Sequence, residues 1–135
     1  MGLFGTAAPI LVDINLILQY LTLVLLIVGY LKTKPRKTHG YLMMVVFLLT
    51  IGTTVFVMAP RILFALSNYG YIVLAHAGVG ITAMLLGTLF GLNFGMALSN
   101  KQPLVCGSKK MMRVAFILWL LPILSGTLTY VGLYL

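Results

Sequence analysis

Four apolar runs of roughly twenty residues, divided by short polar segments, leave this chain few ways to fold. They read as Ile10–Leu31, Gly40–Pro60, Tyr69–Leu98 and Val114–Leu135. Each has the ~20 residues needed to cross a hydrocarbon core, and the third exceeds that length, so it tilts or projects beyond the bilayer. In lipid a backbone must satisfy its own polar groups, so the runs are helices. The expected architecture is an all-α, integral membrane four-helix bundle forming a single domain over residues 1–135.

The composition agrees. Of 135 residues, 61% are apolar and 7% are charged, against ~25% charged in an average globular protein. So small a chain cannot bury that much apolar surface within itself, so the excess faces lipid. A soluble enzyme, a free nucleic-acid-binding domain and a disordered tail are excluded. The net charge of +8 does not restore a nucleic-acid reading. Lys32, Lys34, Arg36 and Lys37 form one cluster and Lys101, Lys109, Lys110 and Arg113 a second, both between spans and without interleaved aromatics.

Basic loops orient membrane helices. Both clusters occupy alternate loops, which places them in the cytoplasm of a cell-membrane protein, with both termini and the Arg61–Gly70 turn outside. The first run lacks a basic n-region and reads as an uncleaved span. Met1-Gly2-Leu3-Phe4-Gly5-Thr6 matches a myristoylation pattern, but an outside amino terminus argues against it. The lone Cys106 lies in the second basic loop, with no CxxC or other metal spacing nearby.

At 1.5 Å rise per residue, position along a span converts to depth. Asp13, Asn15 and Gln19 lie near the outer end of the first span, and Met58 and Arg61 at the outer end of the second. His76 sits roughly 8 to 10 Å below the outer edge of the third, with Thr127, Thr129 and Tyr130 in the outer half of the fourth. All four helices thus offer polar groups at one level, and such groups in a membrane usually mark function. His39 lies at the cytoplasmic mouth of the second span, roughly 20 to 25 Å from His76 along the membrane normal. One chain cannot place both imidazoles on one haem iron.

His76 reads in three ways: a neutral core histidine bonded to Tyr, Thr or a carbonyl; a haem or metal ligand; or a proton or quinone group. Asp13, one of the acidic-side total of 1, either pairs with Arg61 or orients His76 through its second nitrogen. Arg61 would equally receive a haem propionate or a lipid phosphate. Ala83, Gly87, Gly91 and Gly95 form a ladder of small residues that packs a helix closely or leaves a slot for a flat ligand. Eight methionines suit Cu(I), but Met43, Met44, Met111 and Met112 fall in adjacent pairs about 100° apart on a helix, which favours core or lipid-facing roles. Met58 and Met84 are the two placed near the outer polar layer. Pro60 and Pro122 kink their helices and free carbonyls near Phe56 and Leu118. No Ser–His–Asp, Cys–His, P-loop or HExxH pattern occurs.

The runs Gly5-Thr6-Ala7-Ala8-Pro9 and Asp13-Ile14-Asn15-Leu16-Ile17-Leu18-Gln19 resemble the opening of the small membrane proteins grouped as family 420 of the domains of unknown function (CtaM/YozB-like). The resemblance continues through Thr38-His39-Gly40-Tyr41-Leu42-Met43-Met44 and Tyr71 to Gly80. It ends with Lys109-Lys110-Met111-Met112-Arg113, Trp119, Gly126 and Tyr130, so that it covers nearly the whole chain in collinear order. It implies a four-helix membrane protein associated with maturation of haem-containing terminal oxidases, with His39 and His76 at the positions of implicated haem or copper ligands. Family members often carry a further histidine before the last span, where this chain has Ser108. That departure weakens a site built on His39.

The resulting expectation is a non-catalytic accessory or assembly factor for a haem–copper respiratory-type membrane complex. Its haem or copper site would lie near His76, with Asp13, Gln19, Arg61 and Tyr130 around it and Met58 and Met84 as further metal donors. Two alternatives stand beside it. One is a permanent small subunit of a membrane oxidase or copper monooxygenase, docked through the Ala83–Gly95 ladder. The other is an electron-transfer or quinone-reactive protein using His76, Asp13 and Tyr130. The expected partners are the lipid bilayer and other membrane subunits, with no nucleic acid.

Overall fold

Lipid inverts the usual pattern of a helix, and the first helix shows the inversion plainly. In a computed structural model describing residues 2–65, 70–104 and 108–135, α1 (Ile10–Leu31) buries Asp13, Asn15, Gln19, Thr22, Leu26 and Gly29. Ile10, Leu11, Ile17, Leu21 and Val24 are exposed. From Asn15 onward the buried positions alternate spacings of four and three residues, the heptad seam of helices packed side by side. Polar residues turn inward because the exterior here is hydrocarbon.

The second rod is α2 (Arg36–Thr53), a π turn (Thr54–Met58) and α3 (Ala59–Ala65). Its buried residues His39, Val46 and Thr53 repeat every seven positions. The π turn directly precedes Pro60, and the Ala59 N–H reaches back to the Thr54 carbonyl. Proline cannot continue the normal ladder, and a wider turn absorbs the fault. The rods α4 (Tyr71–Ser99) and α5 (Lys109–Tyr134) complete the bundle. No strand occurs among the described residues.

Four helices, Ile10–Leu31, Arg36–Ile62, Val73–Ser99 and Lys109–Tyr134, are long and apolar enough to cross a membrane. The first matches the sequence reading. The second and fourth start earlier, at Arg36 and Lys109, because Lys, Arg and Met are good helix formers. The apolar run marks the thickness of the hydrocarbon, whereas the cap ends the helix. Ser108 supplies that cap: its side chain accepts from the Met111 N–H at 3.2 Å. The expected turn residues Asn68 and Tyr69, and Cys106, lie outside the described residues.

The rods form a square. Backbone contact joins α1 to α2, α2 to α4, α4 to α5 and α5 to α1, and no diagonal pair. Both termini gather at one end (the terminal end), and the two basic segments gather at the other (the basic end). One residue from each rod, Leu26, Val46, Ala83 and Trp119, builds the buried core tier. Side chains tie the α2–α5 diagonal: the Trp119 Nε1–H donates to Thr50 Oγ1 at 3.2 Å. A Cβ on Gly87 would collide with the rings of Trp119 and Phe47, so only glycine lets the indole seat there. Exposed threonines stay satisfied in the apolar exterior by bonding their own helices, as Thr82 does to the Gly78 carbonyl and Thr88 to the Met84 carbonyl.

Candidate functional site

The core tier is a common reference level. Gln19 and His76 each stand seven residues before it on their helices, and Gly126 stands seven residues after Trp119. All three therefore lie about 10 Å toward the terminal end. There they meet. A Cβ on Gly126 would stand 2.9 Å from Gln19 Oε1 and 3.2 Å from His76 Cε1, so a bare backbone on α5 lets two polar side chains converge from opposite corners of the square.

Around this point is a cavity of about 110 Å³ lined by Asn15, Gln19, Met58, Arg61, His76 and Tyr130, among others. The π turn matters here, since it and the residues just after it bring Val57, Met58 and Arg61 to the same wall. His76 Nδ1 lies 2.8 Å from Ser125 Oγ, and that hydroxyl donates to the Pro122 carbonyl at 3.3 Å. With the serine proton committed, Nδ1 is the donor to Ser125. A neutral imidazole donating from Nδ1 carries its lone pair on Nε2. Asn15 Oδ1 is buried with no hydrogen-bond partner. A sealed carbonyl oxygen without a donor is costly, and this one stands beside the cavity.

Asp13 departs from both sequence expectations. It pairs with neither Arg61 nor His76. Its carboxyl, fully buried, accepts the Tyr130 hydroxyl at 2.7 Å and the Phe4 N–H at 3.4 Å. Thr6 Oγ1 lies 3.0 Å from the same phenol oxygen; because Tyr130 donates to Asp13, it accepts from Thr6. Thr6 Oγ1 in turn accepts the Ala8 N–H at 3.3 Å. The segment from Gly2 to Pro9 is thereby folded over the terminal end. The sequence places Asp13 in the right tier but gives no sign that the amino-terminal segment doubles back to meet it. Arg61 instead donates to the Tyr134 hydroxyl at 3.1 Å, because α3 and the end of α5 meet at the terminal end.

Gln19, Arg61, His76, Tyr130 and Met58 are thus brought together around one cavity, with Asp13 behind Tyr130. Met84 is not among its lining residues. It lies eight residues past His76, roughly 12 Å further along α4. The small-residue ladder divides. Ala83 and Gly87 are buried in the core tier, Gly91 faces Met44 at 3.5 Å, and Gly95 has nothing near it. Its inner half is packing within the bundle, and it offers no continuous exterior surface.

A second, larger cavity of about 170 Å³ lies at the basic end, lined by His39, Phe47, Phe90, Phe94, Phe116 and Trp119 and by all four paired methionines, among others. Sequence reasoning missed it. Adjacent residues diverge by about 100°, but an apolar stripe on a helix is itself at least that wide, so both members of a pair can face one hollow. The spacing of Met111, Met112, Ala115, Phe116 and Trp119 carried the signal. His39 Nδ1 lies 2.7 Å from the Gly29 carbonyl, one of the last four of α1 and so without a helical partner. His39 stands seven residues before Val46 on the antiparallel α2, about 10 Å beyond the core tier. The two imidazoles are therefore about 20 Å apart on opposite sides of that tier. No group of three or more His, Cys, Asp or Glu side chains fit to hold a metal occurs among the described residues.

Comparison of the chain with family models, with curated proteins and with solved structures finds no match.

Proposed function

We propose that this membrane protein is a non-catalytic accessory or assembly factor for a haem–copper respiratory-type complex of the cell membrane, oriented with its basic loops in the cytoplasm. Its working group is His76, with its lone pair on Nε2 and Nδ1 anchored on Ser125. The observation that carries the reading is the meeting of that imidazole with Met58, Gln19, Arg61 and Tyr130 around one cavity of about 110 Å³. The collinear motifs from Gly5 to Tyr130 supply the link to oxidase maturation.

The size of this hollow, about 110 Å³, favours a single ion over a porphyrin, since pockets for drug-sized ligands begin at ~300 Å³. Copper(I) fits the donor types: a neutral imidazole and the thioether of Met58 are soft ligands. A two-donor set matches a cargo in transit better than a resident ion, since closed structural sites use four ligands. The chain's own residues then hold and release. Ser125 fixes the tautomer of His76, the π turn presents Met58, and the amino-terminal segment held by Tyr130 covers the terminal end.

Copper titration of the purified protein under reducing conditions tests this. One Cu(I) per chain is expected, lost in His76→Ala and Met58→Leu and retained in His39→Ala. A copper-free wild type, or binding unchanged in His76→Ala, would refute the ligand role. Gentle detergent extraction separates this reading from a permanent subunit: transient capture fits an assembly factor, and a stable stoichiometric complex does not. The burial of Ala83 and Gly87 inside the bundle favours the assembly-factor reading over docking through that ladder.

A further inference from the structure

The cavity at the basic end plays no part in that proposal, and its chemistry is different. It encloses about 170 Å³, close to the ~150 Å³ of an apolar cavity that takes up one benzene ring. Its walls are aromatic, with Phe47, Phe90, Phe94, Phe116 and Trp119 contributing from three of the four rods. Phe47 and Trp119 already meet edge to face, with centroids 6.4 Å apart. Offset and edge contacts with such rings favour another aromatic ring, and the surrounding methionine sulfurs favour the same guest.

Few polar side chains interrupt this lining, namely Tyr30, His39 and Asn93, and the geometry of His39 is defined. His39 is only 8% exposed, and its Nδ1 faces the Gly29 carbonyl at 2.7 Å. A carbonyl oxygen only accepts, so Nδ1 carries the proton, and the neutral ring presents Nε2 as an acceptor. No described residue bonds Nε2, and it is not among the sealed, unpartnered atoms of the bundle. A cavity of ring size with aromatic walls and an imidazole acceptor suits a guest that is a ring carrying a hydroxyl donor.

We propose that this cavity binds a hydroxylated six-membered aromatic ring, of the phenol or hydroquinone class, with its hydroxyl donating to His39 Nε2. The ring lies among Phe47, Phe90, Phe94 and Trp119. An apolar ring without a hydroxyl fits the volume but leaves Nε2 unpaired. A ring whose acceptor faces Nε2 sets two lone pairs against each other.

Trp119 is the chain's one tryptophan and lines the cavity, so its fluorescence reports occupancy. The purified protein in detergent is titrated with phenol and with toluene, which has the same shape and no hydroxyl. Saturable changes are expected for both, with phenol bound about five- to tenfold more tightly, the worth of one hydrogen bond. In His39→Phe this preference falls below about twofold, since the acceptor is gone. Gly91→Val, which adds methyls toward Met44 and Phe47, abolishes the saturable response to both probes while helicity by circular dichroism is kept. Nitrogen NMR of the wild type gives a reading free of mutation: the His39 Nε2 resonance moves with phenol and not with toluene. Equal affinity for the two probes, a hydroxyl preference surviving in His39→Phe, or an unmoved Nε2 resonance at saturating phenol would each overturn the proposal.

Discussion

Tyr130 donates its hydroxyl proton to Asp13 across 2.7 Å, joining the last third of α5 to the first turn of α1. The same phenol oxygen meets Thr6 at 3.0 Å, so one side chain fastens two helices and the amino-terminal segment together. In lipid, such a junction has no water to replace it.

Tyr130→Phe is therefore expected to cost about 1 to 3 kcal/mol, because it strands a buried carboxyl oxygen as well as losing a bond. Thermal unfolding in detergent measures the loss. Amide exchange over residues 2 to 9 should quicken at the same time, and exchange in the middle of α2 should not. Thr6→Val should quicken the same segment with a smaller loss of stability.

Two glycines on one helix should respond in opposite ways to the same methyl group. Gly87→Ala forces a Cβ into the rings of Trp119 and Phe47 and is expected to cost about 1 to 3 kcal/mol by overpacking. At Gly78 a Cβ meets open space, and Gly78→Ala should gain about 0.5 to 1 kcal/mol, because alanine is the better helix former. Paired melts of the two variants check this. Equal effects would mean that the indole does not seat against α4.

Gly126→Ala tests the convergence of α1 and α4 on α5. The added methyl comes within 2.9 Å of Gln19 Oε1 and 3.2 Å of His76 Cε1. The flexible end of Gln19 yields first, so stability should fall by only about 1 kcal/mol. The ring resonances of His76 should shift while those of His39 stay in place, about 20 Å away. His76 resonances that did not move would contradict this geometry.

The proposed sidedness rests on the charge of the loops. With Cys106 replaced by serine, a cysteine at Ser99 should react with an impermeant maleimide only after the cytoplasmic side is opened. One placed at Leu135 should react from outside. The opposite pattern would leave the bundle intact and place the His76 cavity in the other compartment.

The apolar runs revealed four helices and the level at which polar residues meet, because both depend on spacing along one chain. Asn15, Gln19, Arg61, His76 and Tyr130 reach their cavity by that logic. Relations between chain segments were less visible. The partner of Asp13 depends on a fold-back of Gly2–Pro9 that no periodicity encodes. The π turn follows from Pro60, but a proline signals a fault without specifying its remedy. The methionine pairs take core and lipid-facing places as their spacing suggests, but the hollow they share with Phe116 and Trp119 was not anticipated, because a helix face is wide enough for both members of a pair. Ser108 serves as a helix cap, a role its place just before a run of good helix formers makes legible.

The tier of Leu26, Val46, Ala83 and Trp119 closes the interior at mid-height. The bundle accordingly holds two shallow receptacles set back to back, with the indole of Trp119 forming part of the floor of the one at the basic end.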